Sequence, residues 1–298
     1  MKSIFKEKPC CLFSVSFILN FIVNLLQMSH YSCFAKGGSI ERLIKFFIKT
    51  AIFPLFFITT SNASQIKSIN VLAEPNLVPA LTKISRIYSQ KNSVIVSVGF
   101  AAATNSINDI DSGEPADVFI SAHQDWLLSL KQKGLIDIYS VIHIASDDLV
   151  LATSKDNLSA ANYSLEKNLD LEESLKIINH NHLSLIVDSE ETSIGKYARH
   201  EISELHLKDL RLFAKSSDEK SSVISLLENS PDGYAILFAS QVTNDEKLKI
   251  LSRKNSQHIF YQALVIAGDN MEAAREFLKF LKTAPAKAIF EESGLIVE

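Results

Sequence analysis

Gly113-Glu114-Pro115-Ala116-Asp117-Val118-Phe119-Ile120-Ser121-Ala122 is the stretch whose reading decides the fold. Asp117 to Ser121 reads as a strand, and Gln124 to Lys133 directly after it as a helix stopped by Gly134. The same alternation stands before it. Ile66 to Ala73 is a strand with Ile69, Val71 and Leu72 apolar. Asn76 suits an N-cap, and Leu77, Leu81, Ile84 and Tyr88 recur at helical spacing. Pro79 falls in the first turn, where a missing N–H costs little. Val94 to Phe100 is a second strand and Thr104 to Ser112 a short helix. Strands alternating with helices at this spacing predict parallel sheet with right-handed crossovers.

The pattern continues to the end of the chain. Leu149 to Thr153, Leu183 to Val187, Leu210 to Phe213 and Tyr234 to Ala239 read as strands, and Phe260 to Ala267 as a strand running back. Leu171 to Asn179, Ile194 to Leu205, Lys220 to Glu228, Met271 to Lys282 and Pro285 to Ser293 read as helices. No internal repeat, low-complexity tract or long Pro- or Gly-rich linker interrupts them.

The first 63 residues read differently. Cys10 to Leu26 is apolar and about as long as the lower limit for a membrane span. A basic patch (Arg42, Lys45, Lys49) then precedes the apolar run Thr50 to Thr60, and Ser61-Asn62-Ala63 supplies small residues ahead of a cut. This is the layout of a secretory signal, with export and cleavage after Ala63 expected. Two readings cover residues 1–27: translation starting at Met28, which is favoured, or a membrane anchor over 10–26. No lipobox cysteine stands at the expected cut, which argues against a lipoprotein.

Composition narrows the function. The 298 residues carry a formal net charge of −4 with dispersed Lys and Arg, so there is no basic footprint for nucleic acid. Hydrophobic residues at 47% and charged ones at 21% are ordinary for a folded soluble protein. Cys10, Cys11 and Cys33 all precede the globular part, which excludes a disulfide or cysteine zinc site in the body. His180 and His182 are too close for a usual helical zinc pair. No Gly-x-Ser-x-Gly elbow surrounds Ser184, Ser189 or Ser193, and no Gly-rich phosphate loop is present. Catalysis therefore has no positive support, and neither a cofactor nor a free-cation site is expected.

The stretch Gly113 to Ala122, with Gln124-Asp125-Trp126 after it, resembles a signature of the periplasmic molybdate-binding proteins that serve ABC transporters. Phe277 to Leu281, Ala288-Ile289-Phe290 and Gly294 add to the resemblance, and Asp188 with Ile194 to Ala198 echoes it. It implies an α/β, two-lobe periplasmic-binding-protein type II fold, each lobe a mostly parallel sheet flanked by helices. Lobe 1 would be 64–147 plus 259–298 and lobe 2 148–258, with crossings near Ser146–Asp148 and His258–Gln262. It also implies a monomer that takes molybdate, tungstate or a related small oxyanion between the lobes and delivers it to a permease in the inner membrane.

In that family uncharged donors hold the anion. Carried onto this chain, the resemblance puts the first serine position on Asn76 and the second on Ala103, with Thr104 adjacent. The two backbone positions fall near Ile194 and Lys220, and the tyrosine position on Phe238. Several short N–H and O–H bonds and helix N-termini can hold a dianion without a countercharge. Asn76 alters a donor, and Ala103 and Phe238 lose one. Each lost bond costs roughly 1.5–3 kcal/mol, and two weaken binding on the order of a hundred- to ten-thousandfold. Lys220 could compensate with a positive charge. The same resemblance makes Asp117 and Glu114 structural rather than acid/base groups. The altered positions leave two further readings: the same fold with a different anion or carboxylate, and a ligand-free envelope interaction or sensor module. A closed form with a filled cleft would mark the last.

Overall fold

The computed structural model describes residues 67–165, 169–207, 210–214, 222–230, 232–254 and 259–298, all within the unit Gln65–Glu298. The export signal expected over residues 1–63 lies outside the described residues.

Two five-stranded sheets form the body. The first has the order β2-β1-β3-β10-β4, from β1 (Ser68–Ala73), β2 (Ile95–Phe100), β3 (Val118–Ser121), β4 (Ile142–Asp147) and β10 (Ile259–Val265). The second has the order β7-β6-β8-β5-β9, from β5 (Leu149–Ser154), β6 (Ser184–Val187), β7 (Arg211–Ala214), β8 (Tyr234–Phe238) and β9 (Leu248–Arg253). β10 runs antiparallel to both its neighbours and β5 to both of its own, so the other four strands of each sheet point one way. The two-lobe, mostly parallel architecture implied by the resemblance is therefore present.

Sequence pattern explains the placement of the strands. β3, β5 and β8 are buried along their whole length, as central strands covered on both faces must be. β2, at an edge, alternates exposed and half-buried residues. The helices α1 (Val78–Asn92), α9 (Met271–Leu281) and α10 (Ala284–Glu292) cover the first sheet. Tyr88 and Phe277 meet edge-on there with centroids 5.1 Å apart. Phe277 is fully buried, which contributes roughly 1.5–3 kcal/mol. Gly134 follows α3 (Gln124–Gln132) with φ +70°, the left-handed conformation that favours glycine after a helix.

Several elements escaped the sequence pattern. β4 and β9 are strands that periodicity did not reveal, and α4 (Ser159–Asn162) and α8 (Ala239–Thr243) are short helices. Both missed strands lie beside the lone antiparallel strand of their sheet. Asn76 is not the N-cap it resembles. A 3-10 turn, Pro75–Leu77, precedes α1; Glu74 caps the turn and Leu77 the helix, neither through its side chain.

Only Asp148 separates β4 of one sheet from β5 of the other. Its backbone is fixed: the Ala239 N–H donates to its carbonyl at 2.9 Å, and Arg253 Nη1 lies 3.1 Å from its carboxylate. Asp147 beside it accepts from the backbone N–H groups of Asp148 (2.8 Å) and Ser240 (3.2 Å). The return passage runs from β9 to β10, with residues 255–258 between them outside the described set.

Candidate functional site

The C-terminal ends of β1 and β3 meet the first turn of α6 (Ser193–Glu204) from the other sheet. Three donors converge there on one oxygen of a carboxylate that belongs to the protein. Glu74 Oε1 accepts from the Ser121 hydroxyl at 2.6 Å, the Ser193 hydroxyl at 2.6 Å and the Ala122 N–H at 2.9 Å. Ser121 ends β3 and Ala122 follows it, whereas Ser193 opens α6, so the carboxylate ties the two lobes together. All four residues are buried.

Local sequence accounts for each position. Asp117 anchors β3 beside β1: its Oδ2 accepts the Asn70 N–H at 2.7 Å, and the Asp117 N–H donates to the Asn70 carbonyl at 2.8 Å. This is a structural part, as the resemblance implied. Thr192 caps α6, its hydroxyl oxygen accepting from Gly195 N–H at 3.0 Å. Gly195 lets the preceding loop close on the helix; a Cβ there would stand 1.9 Å from the Ser189 carbonyl oxygen. The start of α6 is thereby aimed at Glu74, where the helix dipole favours negative charge.

Electrostatics at this point are unusual. Burial pushes the Glu74 carboxyl above its usual range; hydrogen bonds from Ser121, Ser193 and Ala122 pull it back in part, and Asp188 pushes it up again. Burial first, then the charges of Glu74 and Asp125, raises Tyr197 to about 12, so its hydroxyl stays protonated and donates to the Ala122 carbonyl at 3.0 Å. Burial, with Asp147 and Glu74 nearby, holds Tyr261 well above the ordinary tyrosine range. Burial lowers His123, whose ring stands 4.8 Å from that of Tyr197 and whose Nδ1 accepts from Asp125 N–H at 3.3 Å.

Further contacts close the rim. The Thr104 N–H and hydroxyl both donate to the Glu191 carbonyl at 3.3 Å. Lys196 Nζ lies 4.0 Å over the Trp126 ring and 3.2 Å from Asp125 Oδ2.

The positions carried over from the resemblance gather only in part. Asn76 is half-buried, and its amide donates to the Tyr261 hydroxyl. Ala103 and Thr104 open α2 (Ala103–Ser112), and Ala103 is fully buried with no polar side-chain atom. Ile194 follows Ser193 in the first turn of α6. Phe238 ends β8, buried, with its ring 5.9 Å from that of Tyr261. Lys220 lies outside the described residues; the helix expected from it is described as α7 (Val223–Glu228).

Sequence reasoning missed Glu74, Ser121, Ser193 and Tyr261 as members of the site. For Glu74 a signal existed: an acidic side chain directly at the end of an apolar strand. Tyr261 gave none, because an aromatic on an apolar strand reads as core. Among the described residues no group of three or more His, Cys, Asp or Glu could hold a metal ion.

Comparison with known proteins agrees with this architecture. The chain is 24% identical to the molybdate-binding protein ModA of Haemophilus influenzae over 236 residues, covering 76% of this chain and 89% of that protein. Its fold matches the periplasmic molybdate-binding protein of Azotobacter vinelandii with a TM-score of 0.62 at 17% identity, covering 77% of this chain and 99% of the other. It also matches the tungstate ABC transporter structure from Geobacter sulfurreducens with a TM-score of 0.63 at 13% identity, over 78% of this chain and all of the other (100%). The resemblance first seen in Gly113 to Ala122 thus extends through the whole body. With residues 69–296 matching its model, the chain belongs to the bacterial extracellular solute-binding protein family.

Proposed function

We propose that this protein is the exported solute-binding component of an ABC importer and takes a small oxyanion, molybdate or a near relative such as tungstate, between its lobes. One observation carries the reading. Hydroxyls of Ser121 and Ser193 and the N–H of Ala122, drawn from both lobes, converge on a single carboxylate oxygen beside a helix start. That is the donor chemistry an oxyanion requires, with no cation beside it among the described residues. Asn76, Thr104, Ile194 and Phe238, with the Tyr261 hydroxyl, would complete the surround, and Lys220 would approach from the second lobe. Names of the similar proteins, molybdate- and tungstate-binding, support the choice of ligand. Lobes of 64–147 plus 259–298 and of 148–258 would close on the anion, and the closed monomer would dock on an inner-membrane permease. Export would follow cleavage after Ala63. The family is one of solute-binding proteins, which speaks against an enzyme.

Calorimetric titration of the chain from residue 64 with molybdate, tungstate and sulfate, at pH 5.5 and 7.5, tests the assignment. Saturable binding of at least one is expected. Absence of heat with all three at millimolar concentration, in this chain and in a folded Glu74→Gln variant, would remove it.

A second reading, a ligand-free interaction or sensor module, is favoured by the interlobe bonds that Glu74 and Thr104 already make. Small-angle scattering separates the two. A radius that shrinks on adding anion supports transport, and one that stays at the closed value in every condition supports the module.

A further inference from the structure

Glu74 stands where a guest anion would find its donors. Its Oε1 takes the Ser121, Ala122 and Ser193 hydrogens, and the side chain is 3% exposed. An anion seated on those donors and an ionised Glu74 would compete for the same hydrogens while repelling each other at close range. The titratable groups around Glu74 give no relief. Asp188, after β6, bears on it with the same sign. Tyr197 from α6 and Tyr261 from β10 are held neutral far above pH 7. His123, beside β3, is kept below its ordinary value. Asp147, which reaches the group through Tyr261, titrates near pH 6 and is ionised above it. An anion that takes the donors leaves the carboxylate without the three hydrogen bonds that favour its ionised form, while burial, which favours the protonated form, remains.

We propose that the Glu74 carboxylate is a built-in competitor for the oxyanion, and that the cleft accepts the anion together with one proton, which Glu74 takes from solvent as it releases Ser121, Ala122 and Ser193. The proposal rests on the oxyanion reading above and gives it a selectivity rule. Proton and anion enter together, so capture is strongest in acid. The balance is simple: the anion plus one proton from buffer plus the ionised Glu74 give the bound anion and a neutral Glu74 carboxyl.

Titration calorimetry with molybdate, tungstate and sulfate, in two buffers of different ionisation enthalpy, reads the proton directly on the unaltered protein. Proton uptake with the anion is expected at pH 8, with affinity falling as pH rises, by at most about tenfold per pH unit. E74Q, which keeps the shape and one acceptor oxygen, is expected to bind more tightly than the unaltered protein at pH 8, with no proton uptake and a flat pH profile. Thermal melting confirms that the variant is folded, and the proton count on the unaltered protein stands whether or not it is. Binding by E74Q alone, with none by the unaltered protein even at pH 5.5, overturns the joint entry of proton and anion and leaves the oxyanion reading intact. Binding of an oxyanion by the unaltered protein with no proton uptake and no pH dependence overturns it and leaves the oxyanion reading intact. If neither the unaltered protein at pH 5.5 nor a folded E74Q binds any of the three, the oxyanion reading falls and the competitor with it.

Discussion

Tyr261 lies edge-on to Phe238, its ring 5.9 Å away at 65°, and its hydroxyl accepts the side-chain amide of Asn76. The two rings come from different sheets: Phe238 ends β8 and Tyr261 is in β10. Tyr261 thus places a hydroxyl from the other sheet beside Phe238, the position at which the resemblance expected a tyrosine.

Removing that hydroxyl with Tyr261→Phe leaves the Asn76 amide without its acceptor. A stability loss of about 1 kcal/mol is expected in urea unfolding, since Asn76 is only half-buried and water can replace the partner in part. If the Tyr261 hydroxyl belongs to the anion surround, oxyanion affinity drops about tenfold in the same variant.

Ser193→Ala withdraws the donor that reaches from α6 to Glu74. Losing a hydrogen bond to a buried carboxylate costs roughly 1.5–3 kcal/mol at pH 7.5. The loss also raises the Glu74 pKa further, which favours the protonated folded form. The deficit of the variant relative to the unaltered protein therefore narrows as pH falls, and paired denaturation curves at pH 7.5 and 5 measure the narrowing.

Asp147 makes stability depend on pH with a definite sign. Burial, only partly offset by the Ser240 and Asp148 hydrogen bonds, raises its carboxyl to about 6. The folded state then holds the proton more tightly than the unfolded chain does. This contribution is complete below the ordinary value of 3.8 and is lost as pH climbs through about 6. The shift corresponds to about 3 kcal/mol across that window. Asp147→Asn is expected to flatten the stability profile between pH 4 and 7 by that order, as read from urea midpoints. The slope is the decisive quantity. An amide nitrogen in place of Oδ2 does not titrate, so whatever it costs is the same at every pH.

Gly195→Ala places a methyl where the Ser189 carbonyl oxygen already stands, 1.9 Å from the new carbon. Backbone must move, because the three nearest atoms, of Ser189 and Asp188, are all main-chain atoms. Destabilisation of about 1–3 kcal/mol or more is expected. The first turn of α6 shifts with it, so the Ser193 to Glu74 bond weakens. A carboxyl signal followed by isotope-edited infrared spectroscopy would report the change.

Periodicity was enough for the alternating body. Ile69 and Val71 on β1, and Leu81, Ile84 and Tyr88 on α1, fall where the spacing put them, because strand and helix periods are local properties of the chain. It failed at β4 and β9. Each lies beside a reversed strand that arrives from a distant part of the sequence, and pairing at such distance leaves little local mark. Asn76 failed for a related reason. Its neighbours Glu74 and Pro75 open a 3-10 turn, and the amide found a tyrosine 185 residues away in place of the helix it precedes.

From Gly113 to Ala122 and the closing helices, the sequence by itself determined the family and the alternation of strands and helices, since a recognisable motif carries the first and local periods the second. Only the tertiary structure decided what occupies the donors. Glu74, Ser121 and Ser193 are separated by 47 and 72 residues and carry no shared signal along the chain. Folding brings them within hydrogen-bond distance, and desolvation there pushes the carboxyl of Glu74 above its usual range.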